Sequence, residues 1–308
     1  MRATSARPLP CACIDIGSNT TRLLVARRAG DGLEALVQER AFNRLGRGVG
    51  PGGLIAAPKF IELAATVAGQ ARRAREAGAA SVRTVATAAI RSAANGAELC
   101  AHVGAASGVD IEVLTGDEEA RLAFVGATRT LSRDVAGDVA VVDVGGGSSE
   151  VAVGTVAAGV RWSASLGIGS GRLADDHLRG DPPTPAQLAE ARAHVTATLD
   201  GLGLGRPALA VAVGGSATSL HHLAGPRLDD RALERALAVL ASAPAAELAA
   251  RLELHPERVR LLPAGVLILA ALAERLGRPL EIGRGGLREG VVLELLGAED
   301  GGDHGQGA

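Results

Sequence analysis

Asp15 and Asp143 each lie two residues before the first glycine of a short glycine turn. The turns read Cys13-Ile14-Asp15-Ile16-Gly17-Ser18-Asn19-Thr20 and Val142-Asp143-Val144-Gly145-Gly146-Gly147-Ser148-Ser149. Such a turn lets backbone N–H groups approach phosphate oxygens, and an aspartate beside it can hold a metal ion or its water. Glu150 follows Asp143 by seven residues, an odd spacing that can bring both carboxylates to one mouth of a hairpin. In Thr115-Gly116-Asp117-Glu118-Glu119, Thr115 and Glu118 fit a capping box at a helix start. Glu118 is thereby committed, and Glu119 is left for chemistry. A carboxylate in a first helical turn is also favoured as the anion by the helix dipole.

Other features carry weaker signals. Gly214-Gly215-Ser216-Ala217 stands at a strand–helix junction, where helix amides favour an anion, although close packing also explains glycine there. Arg91 could pair with phosphate in a fork or be a solvated helix charge. A glycine turn alone could be a plain hairpin turn, but the repeat argues for two similar halves facing a phosphate-binding cleft. Neither turn is a GxxxxGK loop or a dinucleotide fingerprint with its third glycine in place, and no GxSxG elbow occurs in the chain. His221-His222 lacks the spaced partners of a zinc site.

The elements that must position these residues alternate between strand and helix. Residues 11–41 read as three strands turning at Gly17–Thr20 and Gly30-Asp31-Gly32, with a glycine loop over Gly46–Gly53. A helix from Pro58 to Ala77 stops at Gly78. Ser81–Thr87 and Asp110–Leu114 are strand-like, and Asn95 opens a helix between them. From Asp138 the strand–turn–strand pattern repeats, with a third strand near Val160–Ser165 and a capped helix start at Thr184-Pro185. Leu209–Val213 is a strand; helices follow as far as Leu280–Gly283, including a buried one over Leu261–Ala273. A last helix spans about Gly286 to Leu296. Strands alternating with helices in two halves give an α/β protein.

The 308 residues suffice for two cores, with 47% hydrophobic and 21% charged residues. Aromatics are 1% and the net charge is −2, so there is neither a stacking platform for single strands nor a global pull toward nucleic acid or membrane. Lys59 is the single lysine, and any polyanion must be held by local arginines. Cys11, Cys13 and Cys100 offer no disulfide framework or CxxC knuckle. With no apolar leader before Asp15 and no run long enough to span a bilayer, a cytoplasmic protein is expected.

The motifs Asp15–Thr20, Ala86–Arg91, Gly116–Arg121, Asp143–Glu150, Gly214–Thr218 and Gly286–Gly290 occur in the order of the exopolyphosphatase / guanosine pentaphosphate phosphohydrolase (Ppx/GppA) family. The resemblance runs from about residue 11 to residue 297. It implies the actin-like ATPase (ribonuclease H-like) duplicated fold, with two domains around a cleft. Domain I would span 11–118, with 290–297 free to return to it. Domain II would span 119–289, between a flexible arm (1–10) and a disordered tail (298–308). The resemblance further implies hydrolysis of terminal phosphoanhydride bonds with Mg²⁺ or Mn²⁺. Glu119 would be the general base, with Asp143 and Glu150 assisting. Asp15, Asp143 and Glu150 would hold the metal. Backbone amides of Gly17, Ser18, Asn19, Thr20, Gly145, Gly146, Gly147, Ser148, Gly215, Ser216 and Ala217 would cradle phosphates, one of which Arg91 would neutralise.

Arg284 departs from the small or acidic residues common before Gly-Leu-Arg-Glu-Gly. The sequence also stops after the two core domains, which implies shorter substrates. Inorganic polyphosphate is the leading substrate and pppGpp the alternative; an actin-like kinase and a non-catalytic phosphate or alarmone sensor are remoter. A homodimer is compatible with all of these.

Overall fold

The computed structural model describes residues 8–30, 32–48 and 53–302. Asp31, part of the Gly46–Gly53 loop, residues 1–7 of the expected arm and residues 303–308 of the expected tail lie outside the described residues.

The first sheet is formed by β1 (Cys11–Ile16), β2 (Thr20–Ala29), β3 (Gly32–Phe42), β4 (Ser81–Ala86) and β5 (Ile111–Val113), in the order β3-β2-β1-β4-β5. The first three strands form an antiparallel meander, and β4 and β5 continue parallel to β1. Helix α1 (Ala57–Glu76) covers this sheet with Phe60, Leu63, Val67, Ala71 and Ala74, the three-to-four spacing of one apolar face. Short α2 (Ala88–Ser92) and α3 (Gly96–Ser107) connect β4 to β5.

Helix α4 (Gly116–Arg129) leads into the second half. There β6 (Val139–Val144), β7 (Ser149–Thr155) and β8 (Gly159–Leu166) form a second meander. Helices α5 (Ser170–His177) and α6 (Pro185–Thr198) precede β9 (Leu209–Val213). Next come α7 (Gly214–Ala224), β10 (Arg227–Leu228), α8 (Asp230–Leu240), α9 (Ala245–Leu252), α10 (Pro256–Leu276) and β11 (Leu280–Ile282). The order β10-β11-β9-β6-β7-β8 repeats the first sheet's plan with one added edge strand. The buried run read at Leu261–Ala273 lies within α10, whose Val259, Leu262, Val266 and Leu269 cross the main core.

The last helix, α11 (Leu287–Gly302), returns to the first half, packing Val291, Val292 and Leu296 on Cys13, Leu24 and Val85. It corrects the expected tail: the helix runs on through Gly297, since one glycine costs only about 1 kcal/mol in a helix anchored by its apolar face. The 118/119 division falls within the first turn of α4.

Helices α4 and α11 cross with their backbones in contact. A Cβ on Gly290 would lie 2.0 Å from the Leu122 carbonyl oxygen, and one on Gly126 would lie 1.9 Å from that of Gly286. Backbone cannot swing aside as a side chain can, so Gly290→Ala is expected to cost about 3 kcal/mol. Urea denaturation checks this; an unchanged midpoint contradicts the crossing.

Candidate functional site

The two glycine turns are built alike. Gly17 N–H donates to the Thr20 carbonyl and Gly145 N–H to that of Ser148, both at 3.0 Å. Carbonyls of each turn are occupied from behind. Asn43 and Arg44 N–H reach Asn19, Gly46 N–H reaches Ser18, and Gly171 and Arg172 N–H reach Gly146. Among the described residues, the N–H groups of Ser18, Asn19, Gly146 and Gly147 donate to no backbone carbonyl, which leaves them available to an anion. The turns abut: a Cβ on Gly146 would fall 2.3 Å from Asn19 Nδ2, and one on Gly147 2.3 Å from Ser18 Oγ. Only glycine permits that approach.

Between the sheets lies a cleft lined by both turns, by Asp15, Asp143, Glu119 and Glu150, and by Gly215. Three residues named from the sequence are not among those that line it. Ser216 and Ala217 are buried, Ser216 against Gly265 of α10 and Ala217 in the main core. A helix start sends successive side chains around its axis, so Thr218, not these two, joins Gly215 at the cleft. Arg91 is engaged within the protein: its Nη1 donates to the Leu114 carbonyl at 2.7 Å and to Glu119 Oε2 at 2.5 Å.

The α4 capping box is present, with Glu118 N–H on Thr115 Oγ1 at 3.2 Å and Thr115 N–H on Glu118 Oε2 at 2.8 Å. Thr115 N–H and the Thr115 hydroxyl both donate to Glu118 Oε2, which holds the Glu118 carboxyl below its usual range. Glu119 is buried, a surrounding that acts against the helix dipole. Burial and the neighbouring Glu150 outweigh Arg91 and push Glu119 up to about 9. Burial and Glu150 likewise raise Asp143 to about 7. Burial raises Asp15 against the pull of Arg22 and Arg288, and raises Glu150 against hydrogen bonds from Ser148 and Ser165.

Register accounts for these neighbours. Asp143 pairs with Glu150 across β6–β7, and Asp15 pairs with Arg22 across β1–β2. The same seven-residue step thus places a carboxylate beside one aspartate and a guanidinium beside the other. Arg22 in turn pairs with Arg40 of β3. Arg258 of α10 and Arg288 of α11 complete a cationic wall, with Arg284 also at the cleft. Burial and the charges of Arg288 and Arg40 lower Arg22 to about 10; burial with Arg22 and Arg40 lowers Arg258 to about 9. The buried Nε of Arg258 has no hydrogen-bond partner.

Among the described residues, no group of three His, Cys, Asp or Glu side chains is placed to hold a metal by itself. The donor set nevertheless fits a small hard cation. Mg²⁺ typically takes one or two carboxylates and completes its shell with water and substrate phosphate. Asp15 Oδ1 is buried without a hydrogen-bond partner, and both turn aspartates are held above their usual range by burial.

These raised carboxyls set a pH dependence. Glu119 moves from 4.5 to about 9 and Asp143 from 3.8 to about 7, so between those limits the folded chain binds more protons than the unfolded one. Stability therefore falls as pH rises through that window. The Tm of the metal-free protein is expected to decline from about pH 5 to about pH 9. Added Mg²⁺ is expected to raise Tm more at the alkaline end, where the carboxyls are ionised. Scanning fluorimetry checks both slopes; a Tm climbing with pH across the window contradicts them.

Residues 24–299 match the model of the Ppx/GppA phosphatase family. The chain is 32% identical to Exopolyphosphatase 1 of Mycobacterium tuberculosis over 305 residues, covering 93% of this chain and 88% of that protein. It is 26% identical to the guanosine-5'-triphosphate,3'-diphosphate pyrophosphatase of Aeromonas hydrophila, covering 93% of this chain and 59% of that one. The crystal structure of the Aquifex aeolicus Ppx/GppA family member superposes with a TM-score of 0.79 at 26% identity, covering 96% of this chain and 99% of that one. The paired meanders, each extended by parallel strands, form the duplicated actin-like ATPase fold. With the family motifs gathered around one cleft, the chain belongs to the Ppx/GppA phosphatase family.

Proposed function

We propose that this protein is an exopolyphosphatase, releasing orthophosphate from the ends of inorganic polyphosphate with the help of Mg²⁺. The observation that carries the reading is the division of charge in the cleft: buried carboxyls on α4, β6 and β7 face a wall of arginines from β2, β3 and α10. A phosphate chain lies naturally with its terminal group among the carboxyls and its remaining phosphates along the arginines. The turn amides supply donors between them.

Glu119 is the base. Arg91 holds its Oε2 at 2.5 Å, which leaves Oε1 for a water. The water oxygen bonds to the terminal phosphorus as its proton passes to Glu119. The bridging P–O bond breaks, and its electron pair stays on the shortened chain. Such a reaction asks mainly for positioning and charge stabilisation. Mg²⁺, held by Asp15 and Asp143 with Glu150 nearby, would supply positive charge to the phosphate oxygens and favour the ionised carboxylates. The buried thiol of Cys13 and the partly buried Cys100 suit a cytoplasmic location. Among the described residues no helix is long and apolar enough to cross a membrane.

The relative from Aeromonas hydrophila keeps pppGpp as the second reading. Among the described residues no aromatic ring lines the cleft, so a guanine would have only arginine and aliphatic side chains to stack on; this favours polyphosphate. Orthophosphate release from short-chain polyphosphate, pppGpp and ATP, each with Mg²⁺, tests the choice. The expected result is a kcat/KM for polyphosphate at least about 10-fold above pppGpp, a gap of about 1.4 kcal/mol. The reverse order would move the protein to alarmone metabolism, and transfer from ATP to an acceptor would restore the kinase reading.

A further inference from the structure

Strand β8 supplies none of the groups proposed above, yet it touches two elements that do. Ser165 stands directly opposite Glu150 in the β7–β8 register and donates its hydroxyl to Glu150 Oε1 at 2.8 Å. Together with Ser148, also hydrogen-bonded to Glu150, it fixes the plane of a carboxyl that is otherwise buried. Ser165 also meets the first residue of α4. A Cβ on Gly116 would fall 2.3 Å from Ser165 Cβ and 2.8 Å from its Oγ, so the helix seats on this serine only because residue 116 is glycine. Two positions earlier on the same face of β8, Ser163 donates to Asp117 Oδ1 at 2.8 Å. One strand face therefore sets both the start of the helix that carries Glu119 and the orientation of Glu150, the carboxyl whose charge Glu119 feels most.

We infer that Ser165, seated against Gly116, is a positioning residue that fixes Glu150 relative to Glu119. This rests on the proposed hydrolysis, because the pair matters only if Glu119 activates water. Alanine at 165 keeps the Cβ seat and loses the hydrogen bond. Alanine at 116 keeps the hydroxyl but crowds it and loses the seat.

The test measures kcat, KM and Tm with polyphosphate and Mg²⁺ for wild type, Ser165→Ala, Gly116→Ala and the double variant Gly116→Ala/Ser165→Gly. Ser165→Ala should lower kcat about 10- to 100-fold, the range for losing a hydrogen bond to a charged group, with KM within about 2-fold. Gly116→Ala should lower both Tm and kcat. Removing the side chain at 165 in the double variant should restore Tm but not kcat, since the hydroxyl is still missing. If the double variant regains kcat with Tm, or if Ser165→Ala keeps the wild-type kcat, Ser165 only fills space and the inference is overturned. Wild-type protein that releases no orthophosphate would instead overturn the proposed function, and this inference with it.

Discussion

Glu119→Gln should lower orthophosphate release by about 10²–10⁴-fold, the usual worth of a general base, with little change in KM. Glutamine keeps the length and shape of the side chain and an oxygen for Arg91, but it cannot take a proton from water. The same substitution removes a carboxyl that burial and Glu150 push up to about 9. The metal-free variant should therefore be as stable as wild type near neutral pH, or more so. Steady-state kinetics paired with thermal melts check the two halves together. A kcat within about 3-fold of wild type would remove Glu119 from the base's role. A large drop in Tm would mean that Glu119 chiefly holds the structure together through Arg91.

Arg258→Met should produce the opposite trade, a more stable protein that holds its substrate poorly. Arg258 is 6% exposed, its Nε has no partner, and Arg22 and Arg40 help lower it to about 9. Replacing an uncompensated buried charge with an apolar side chain of similar reach stabilises a fold by about 1–3 kcal/mol. That cost is retained where a polyanion needs the charge. Losing one charge-assisted contact should raise KM for polyphosphate about 10- to 100-fold, and the salt dependence of binding should flatten. Denaturant melts and KM at two ionic strengths check it. A variant that is less stable with unchanged KM would contradict an anion-binding role.

Much of this was legible because local chemistry and tertiary position agree in the sequence. The turn aspartates, the capping box at Thr115 and the buried run in α10 each follow from a short pattern whose physics is local. Glu118 and Glu119 could be told apart for the same reason, since a cap uses one carboxyl and frees the next. The arginine wall was hidden because its members come from β2, β3, α10 and α11, and only the folded sheets bring them together. One clue was present: the seven-residue step that pairs Asp143 with Glu150 also leads from Asp15 to Arg22. Ser216 and Ala217 show what a motif leaves unread. The glycine motif at the head of α7 is correctly placed, but helix geometry turns those two side chains into the core. The surroundings of Glu119 were only half legible, because the helix dipole is visible in sequence, whereas burial beside Glu150 is not.

The central claim, attack by water on the terminal phosphorus of a phosphate chain, is tested most directly by turnover in ¹⁸O-labelled water. Short-chain polyphosphate with Mg²⁺ should yield orthophosphate carrying a single solvent oxygen, with none in the shortened chain, as mass spectrometry would show. Label in the remaining chain would mean attack at an inner phosphorus, and orthophosphate without label would mean that water is not the nucleophile; either result would contradict the account.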